Sequence, residues 1–133
     1  MGMLAVFLML MFDASASSVD QTNFERALAK AHQMEATLSE AEQANLFQAQ
    51  GQFIVDTFSG CINKTGSPPE EFTVVVELQT DGTVNKAWRQ GDGFFVKCFE
   101  REMIHKFTFK APDIPFYTAI EYSNEDKIEF NYD

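Results

Sequence analysis

The hydrophobic and polar positions of this chain follow three successive patterns. Residues 4–12 form an unbroken apolar run. Between about residues 20 and 62, apolar side chains recur with the 3.6-residue period of a helix. From Phe72 onward the pattern alternates with a period of two, is interrupted by one helical segment, and then alternates again. The patterns therefore predict an N-terminal leader, a helical segment and a small domain that contains a sheet.

Two helices are predicted in the helical segment. Asp20 or Thr22 can cap the first, which carries Phe24, Leu28, Ala31 and Glu35 and has a narrow apolar stripe with much alanine. Residues 39–42 (Ser-Glu-Ala-Glu) form a capping box at the start of the second. We expect Gly60 and the loop 63–69 to end it. Its predicted apolar face consists of Leu46, Phe47, Phe53, Ile54, Phe58, Cys61 and Ile62.

Three strands and a third helix are predicted in the remainder. The first strand is expected to be half-buried, with one apolar face formed by Phe72, Val74, Val76 and Leu78. Asp81-Gly82 supplies a tight turn, and residues 84–89 return as the partner strand. The third helix is predicted from apolar residues four apart, at Phe95, Phe99, Met103 and Phe107. Residues 116–122 form the last strand, and the tail 123–133 is either a weak extra strand or disordered.

The predicted order is helix, helix, strand, strand, helix, strand. This order favours a two-layer α+β domain, in which a small antiparallel sheet carries the helices on one face. The predicted division of the chain is a leader at 1–16, a helical segment at 17–62 and an α+β core at 63–133, which forms one domain together with the second helix.

The leader has the features of an export signal. Its apolar run is too short for a membrane span, which needs roughly 20 residues, and residues 14–16 (Ala-Ser-Ala) form a small-x-small cleavage pattern. Residues 1–3 carry no Lys or Arg, although export signals usually begin with positive charge. We expect cleavage near Ser17 and a periplasmic or secreted protein with no stable membrane span. An uncleaved apolar N-terminus is the alternative.

The net charge of the chain narrows the classes of molecule that it can bind. The 133-residue chain has 20 acidic and 10 basic residues, a formal net charge of −10. Removal of the leader takes away one acid, Asp13, and no base. Nucleic-acid-binding proteins concentrate Lys and Arg. The composition therefore excludes nucleic acid as the partner.

The two cysteines, Cys61 and Cys98, fall on helices that are expected to cover the same face of the sheet. An even number of cysteines behind an export signal favours a disulfide. Two free buried thiols or a two-ligand metal site are the alternatives.

No catalytic constellation is found, so we expect no enzyme, no cofactor and no metal. His32 and His105 each lie two residues from a methionine, which suits copper, but residues two apart on a helix point in different directions. A small copper handler, or a thiol-dependent enzyme that uses Cys98 and His105, is the alternative function. The candidate binding surface consists of Trp88, Arg89 and Tyr117, because aromatic and guanidinium groups are frequent in binding surfaces.

Residues 58–122 resemble the C-terminal domain of TonB, most closely its cysteine-containing AgmX/PglI-type subgroup. The resemblance rests on Cys61, the turn at residues 81–84 (Asp-Gly-Thr-Val), Cys98 in a helix, and the aromatic-Pro stretch at residues 107–116. An energy-transducing TonB has a membrane helix and a Pro-rich spacer where this chain has a helical segment. The resemblance therefore implies a protein-binding module rather than a full energy transducer.

We therefore expect an exported, disulfide-stabilised, non-catalytic protein-interaction module. Its partner is another protein of unknown identity, which could bind by adding a strand to an exposed sheet edge. The sequence neither predicts nor excludes a homodimer.

Overall fold

The computed structural model of the protein describes residues 20–123. The leader 1–16 and residues 124–133 of the tail, with the extra strand predicted there, lie outside the described residues. The predicted α+β class and order of elements are confirmed. The elements are α1 at residues 20–36, α2 at Glu40–Thr65, β1 at Phe72–Leu78, β2 at Val84–Gln90, α3 at Phe94–Lys106 and β3 at Phe116–Tyr122.

The three strands form one antiparallel sheet in the order β2-β1-β3, so β1 is the central strand. β1 and β2 form a hairpin whose turn contains Gly82 at φ +86°. A Cβ atom on this residue would meet the backbone oxygen of Phe109 at 3.0 Å. The predicted Asp81-Gly82 turn is thus formed, and it needs glycine both for its conformation and for the close approach of residue 109.

Helices cover both faces of the sheet. α2 and α3 pack on the main core, in which Phe53, Val74 and Phe99 are buried. α1 packs on the opposite face, where Phe24, Ala27 and Ala31 meet Val75 and Ala119. The prediction that the helices share one face is therefore correct for α2 and α3 and wrong for α1. The physical reason is that β1 presents apolar side chains on both of its faces.

The central strand β1 is buried on both sides rather than half-buried as predicted. Val74, Val75 and Val76 all have 0% of their surface exposed. Successive side chains of a strand point to opposite faces. Val75 therefore needs a cover of its own, which α1 provides.

α2 begins as predicted and ends later than predicted. The capping box is present, because Ser39 Oγ accepts from Glu42 N and Ser39 N donates to Glu42 Oε1. The helix continues through Gly60 to Thr65, and Gly66 at φ +67° caps it. Its predicted apolar face is too broad, since Phe47 is 68% exposed and Ile62 is 37% exposed.

The predicted disulfide between Cys61 and Cys98 is confirmed. It joins α2 to α3 with a Cα–Cα distance of 5.8 Å, and both cysteines are 1% exposed. Phe53 and Phe58 of α2 meet Phe99 of α3 edge-to-face nearby, with ring centroids 5.2 and 5.7 Å apart. None of the helices within residues 20–123 is long and apolar enough to span a membrane.

Candidate functional site

The two outer edges of the sheet differ in how their backbone groups are satisfied. At β3, Ala119 N donates to Glu35 Oε2 at 3.1 Å and Ala119 O accepts from Gln50 Nε2 at 3.2 Å. Tyr117 N donates to Met34 Sδ at 3.3 Å. Side chains from α1 and α2 thus bond to the β3 edge in place of a further strand. The edge is therefore closed at Tyr117 N and at Ala119.

The register identifies the backbone groups at the other edge. Ala119 N points away from β1, and hydrogen-bonding direction alternates along an antiparallel strand. The neighbouring residues Thr118 and Ile120 therefore bond to β1, through Val76 and Val74. It follows that Val75, between those two, bonds to β2.

The same alternation continues across β2. Val75 and Thr73 face Trp88 and Gln90. The N–H and C=O groups of Ala87 and Arg89 therefore point out of the sheet. Within residues 20–123 these four groups have no hydrogen-bond partner. This part of β2 is an open edge.

The hairpin end of β2 is covered. Phe109 N donates to Gly82 O at 3.0 Å, and Thr83 forms an isolated antiparallel bridge with Thr108. Residues 108 and 109 thus occupy the edge next to the turn. The open edge begins beyond them and extends toward Gln90.

A surface depression follows the open edge between α1 and β2, and we call it the α1–β2 groove. It consists of two adjoining depressions of about 510 and 660 Å³ that share Ala87 and Trp88. We call the part that contains Lys86 the basic end; it is lined by Asn23, Arg26, Ala27, Lys30, Lys86, Ala87, Trp88 and Tyr117. The part that contains Gln90 is lined by Asp20, Gln21, Phe24, Ala87, Trp88, Arg89, Gln90, Gly91, Asp92 and Glu100.

The basic end of the groove contains two of the three residues predicted as a binding surface. Trp88 and Tyr117 stack with ring centroids 5.6 Å apart and an interplanar angle of 21°. Lys30 Nζ lies 4.8 Å from the centre of the Tyr117 ring, within the range of a cation–π contact. The structure thus brings together an indole, a phenol and an ammonium on the α1 face of the sheet.

The Glu77 carboxylate of β1 holds two of the neighbouring side chains in place. Glu77 Oε1 accepts from Asn85 Nδ2 at 2.8 Å and Glu77 Oε2 accepts from the Tyr117 hydroxyl at 2.9 Å. The Asn85 hydrogen bond, together with the Tyr117 hydroxyl and the charges of Lys86 and Lys30, holds the pKa of Glu77 below its usual value. Burial, and then the Glu77 carboxylate, raises the pKa of Tyr117.

Arg89, the third predicted residue, points to the opposite face. Its Nη1 donates to Glu100 Oε1 of α3 at 2.9 Å, and its Nε donates to Gly91 O at 3.0 Å. Arg89 therefore lines only the far end of the groove, and its guanidinium is already paired. Trp88 and Arg89 are neighbours in the sequence, and successive side chains of a strand point to opposite faces of the sheet. Their side chains therefore lie on different faces.

The residues of the alternative function are not brought together as a site. Cys98 is buried in its disulfide and so presents no thiol. His105 is exposed on α3, and His32 Nε2 lies 2.9 Å from Glu121 Oε2. Among residues 20–123, no three His, Cys, Asp or Glu residues cluster in a way that could hold a metal ion.

Comparison with known proteins gives no relative for this chain. No protein-family model matches it, and neither does any curated protein or solved structure.

The sequence-based prediction missed the basic residues of the groove, Arg26, Lys30 and Lys86. Arg26 and Lys30 lie four apart on α1, which places them on one side of that helix. That spacing was the available signal. It did not indicate that Lys86 of β2 lines the same depression.

Proposed function

We propose that this protein is an exported, non-catalytic protein-interaction module that binds an extended segment of its partner along the open edge of β2. The observation that carries the proposal is the contrast between the two sheet edges. Side chains from α1 and α2 bond to β3, whereas the outward groups of Ala87 and Arg89 have no partner within residues 20–123. A β3 edge that is covered at its middle and a β2 edge that is open suit a protein that accepts a strand at β2.

The surroundings of the open edge support the same proposal. Backbone hydrogen bonds to Ala87 and Arg89 would supply affinity that does not depend on the partner's sequence. The α1–β2 groove, with Trp88 at its centre, would then contact the partner's side chains. A half-buried tryptophan beside unpaired backbone groups is a suitable anchor, because aromatic residues contribute much of the binding energy at interfaces.

Export and TonB-likeness belong to this proposal. The N-terminal apolar run with its small-x-small pattern supports export, and the bonded cysteines suit an oxidising compartment. The order of elements from α2 to β3 is compatible with the TonB C-terminal resemblance. We therefore propose a TonB-like binding domain that acts outside the cytosol.

Amide hydrogen exchange tests the site directly. The probe is a phage-displayed library of random heptapeptides, selected on the immobilised, disulfide-bonded protein and followed by synthesis of the enriched peptides. Binding is expected to slow exchange at the Ala87 and Arg89 amides. The Trp88 amide already bonds to β1 and should change little, so it is the internal control. Selected peptides that protect other amides and leave Ala87 and Arg89 unchanged would overturn the proposal, as would a library that yields no binder.

A second measurement uses Ala87→Pro. Proline at this position removes an outward N–H and leaves the ladder to β1 intact, because edge strands tolerate proline where the N–H faces solvent. Binding is expected to weaken by about tenfold or more. If the variant does not fold, alternate N-methylation of the peptide replaces it. Methyl groups on one backbone edge of the peptide should abolish binding, and methyl groups on the other edge should not.

A further inference from the structure

We propose that the α1–β2 groove selects extended segments with carboxylate side chains, and that these carboxylates lie at its basic end. This inference rests on the proposed strand addition at β2 and deepens it by naming the chemistry of the partner. The observations that carry it are the distribution of charge along the groove and the absence, within residues 20–123, of ion-pair partners for Arg26, Lys30 and Lys86.

The basic end is unlike the rest of the molecule. The chain has twice as many acidic as basic residues, with 20 of the former and 10 of the latter. Three of these ten, Arg26, Lys30 and Lys86, line the basic end, and no acidic residue lines it. An acidic protein that gathers three cations around one depression has a surface complementary to an anionic partner.

These cations are not consumed by internal ion pairs. Within residues 20–123 the ion pairs use His32, Lys64, Arg89 and Lys106 as their basic partners. Arg26, Lys30 and Lys86 belong to none of them.

The Glu77 carboxylate interacts with Lys30 and Lys86 through space. It is held by Asn85 and by the Tyr117 hydroxyl and does not line the groove. Three positive charges exceed the one negative charge of this carboxylate, so a net positive charge remains to attract a ligand.

The other end of the groove has the opposite character. Asp20, Asp92 and Glu100 line it, and its single base, Arg89, bonds to Glu100. Lys86 and Gln90 are four residues apart on β2, or about 13 Å. That distance exceeds the Debye length of about 8 Å at physiological ionic strength. A bound segment therefore experiences two separate fields, and its carboxylates are favoured beside Lys86 and disfavoured beside Gln90.

The position of Trp88 adds a second requirement. Side chains of an added strand alternate between its two faces. Those on the α1 side would meet Trp88 in the middle of the groove and the cations beyond it. The expected ligand is thus an extended segment with an apolar or aromatic side chain near Trp88 and Asp or Glu toward Lys86.

The heptapeptide selection described above tests this inference through the composition of the enriched peptides. We expect Asp and Glu to be enriched at one end of the peptides that protect the Ala87 and Arg89 amides. Peptides that protect these amides without acidic enrichment would overturn the charge selection and leave strand addition standing. A library that yields no peptide protecting these amides would overturn both.

Matched variants give a quantitative test with a selected acidic peptide. Arg26→Gln and Lys86→Gln are each expected to weaken binding about two- to fivefold, and the double variant roughly tenfold. Lys97→Gln removes a charge that is also exposed, on α3 and outside the groove, and should leave affinity unchanged. Equal losses in all three single variants would overturn the site, because they would indicate a general effect of net charge.

Salt dependence and self-association complete the test. Affinity for the acidic peptide should fall between 50 and about 300 mM salt, while its Glu-to-Gln analogue should bind more weakly and show little salt dependence. Concentration-dependent protection of the Ala87 and Arg89 amides without added peptide would show that a second copy of the chain occupies the edge. That result would overturn the proposed ligand.

Discussion

Trp88 of β2 and Tyr117 of β3 stack across the central strand, although they lie on strands that are not neighbours. Trp88 pairs with Val75 of the central strand β1, and Tyr117 pairs with Glu77 two residues further along it. The two rings therefore meet diagonally over β1. The stack forms part of the surface on which α1 packs, together with Val75 and Ala119. It therefore links the groove to the attachment of α1.

Trp88→Ala should weaken this attachment. Loss of a half-buried indole is expected to lower the free energy of unfolding by about 2 kcal/mol, which is less than for a fully buried ring. Urea denaturation measures the change. Trp88→Phe keeps part of the stacking surface and should lose less than half as much. Equal stability of the alanine variant and the wild type would show that the stack contributes nothing to the fold.

Glu35→Ala should open the edge of β3. Glu35 Oε2 accepts from the Ala119 amide at 3.1 Å and from the Thr118 hydroxyl at 2.5 Å. We expect a loss of about 1–2 kcal/mol and faster exchange of the Ala119 amide. Glu25→Ala is the matched control, since Glu25 is an exposed acid on the same helix and, within residues 20–123, bonds only to Gln21. An unchanged Ala119 exchange rate would contradict the closed edge.

The disulfide should make a large contribution to stability. In the chain-entropy model, closing a loop over the 37-residue separation of the cysteines stabilises the fold by about 4 kcal/mol. The comparison is between the oxidised protein and the Cys61→Ala/Cys98→Ala variant in urea. Thiol titration of the oxidised protein in denaturant should detect no free thiol. Two titratable thiols in protein recovered from outside the cytosol would contradict the disulfide bond.

The ionisation of Glu77 predicts part of the acid sensitivity of the fold. Hydrogen bonding by Asn85 and Tyr117 and the nearby lysines lower the pKa of Glu77 in the folded state below its ordinary value of 4.5. The stabilisation is thus fully present above the unfolded-state pKa and is lost as pH falls through the folded-state pKa. Urea midpoints between pH 6 and 3 should fall more steeply for the wild type than for Glu77→Gln. Parallel curves would exclude this contribution.

The core could be predicted from the sequence because its signals are local. The capping box at Ser39, the Asp81-Gly82 turn and the four-residue spacing of Phe95, Phe99 and Met103 each depend on neighbouring residues. The disulfide followed from two helices on one face of the sheet. These features can be predicted without knowing which distant residues are in contact, and all of them are present in the structure.

The second layer could not be predicted because its signals depend on distant contacts. The alanine-rich stripe of α1 is compatible with packing on any apolar surface, so it did not identify the face that it covers. Val75, between Val74 and Val76, was the residue that called for a cover on the second face. The site could not be predicted for the same reason, since the Trp88–Tyr117 stack and the outward direction of the Ala87 backbone groups follow from the strand register. The placement of Arg89 followed from strand alternation and was available in advance.

The covalent link between α2 and α3 has a consequence for how the molecule opens. It ties together one layer of the domain, while α1 attaches to the other layer through a small cluster and a few polar bonds such as those of Glu35 and His32. Domains open in cooperative units of unequal stability. α1 is therefore expected to detach before the disulfide-linked layer of α2 and α3 unfolds. A ligand bound between α1 and β2 would then stabilise α1 against this detachment.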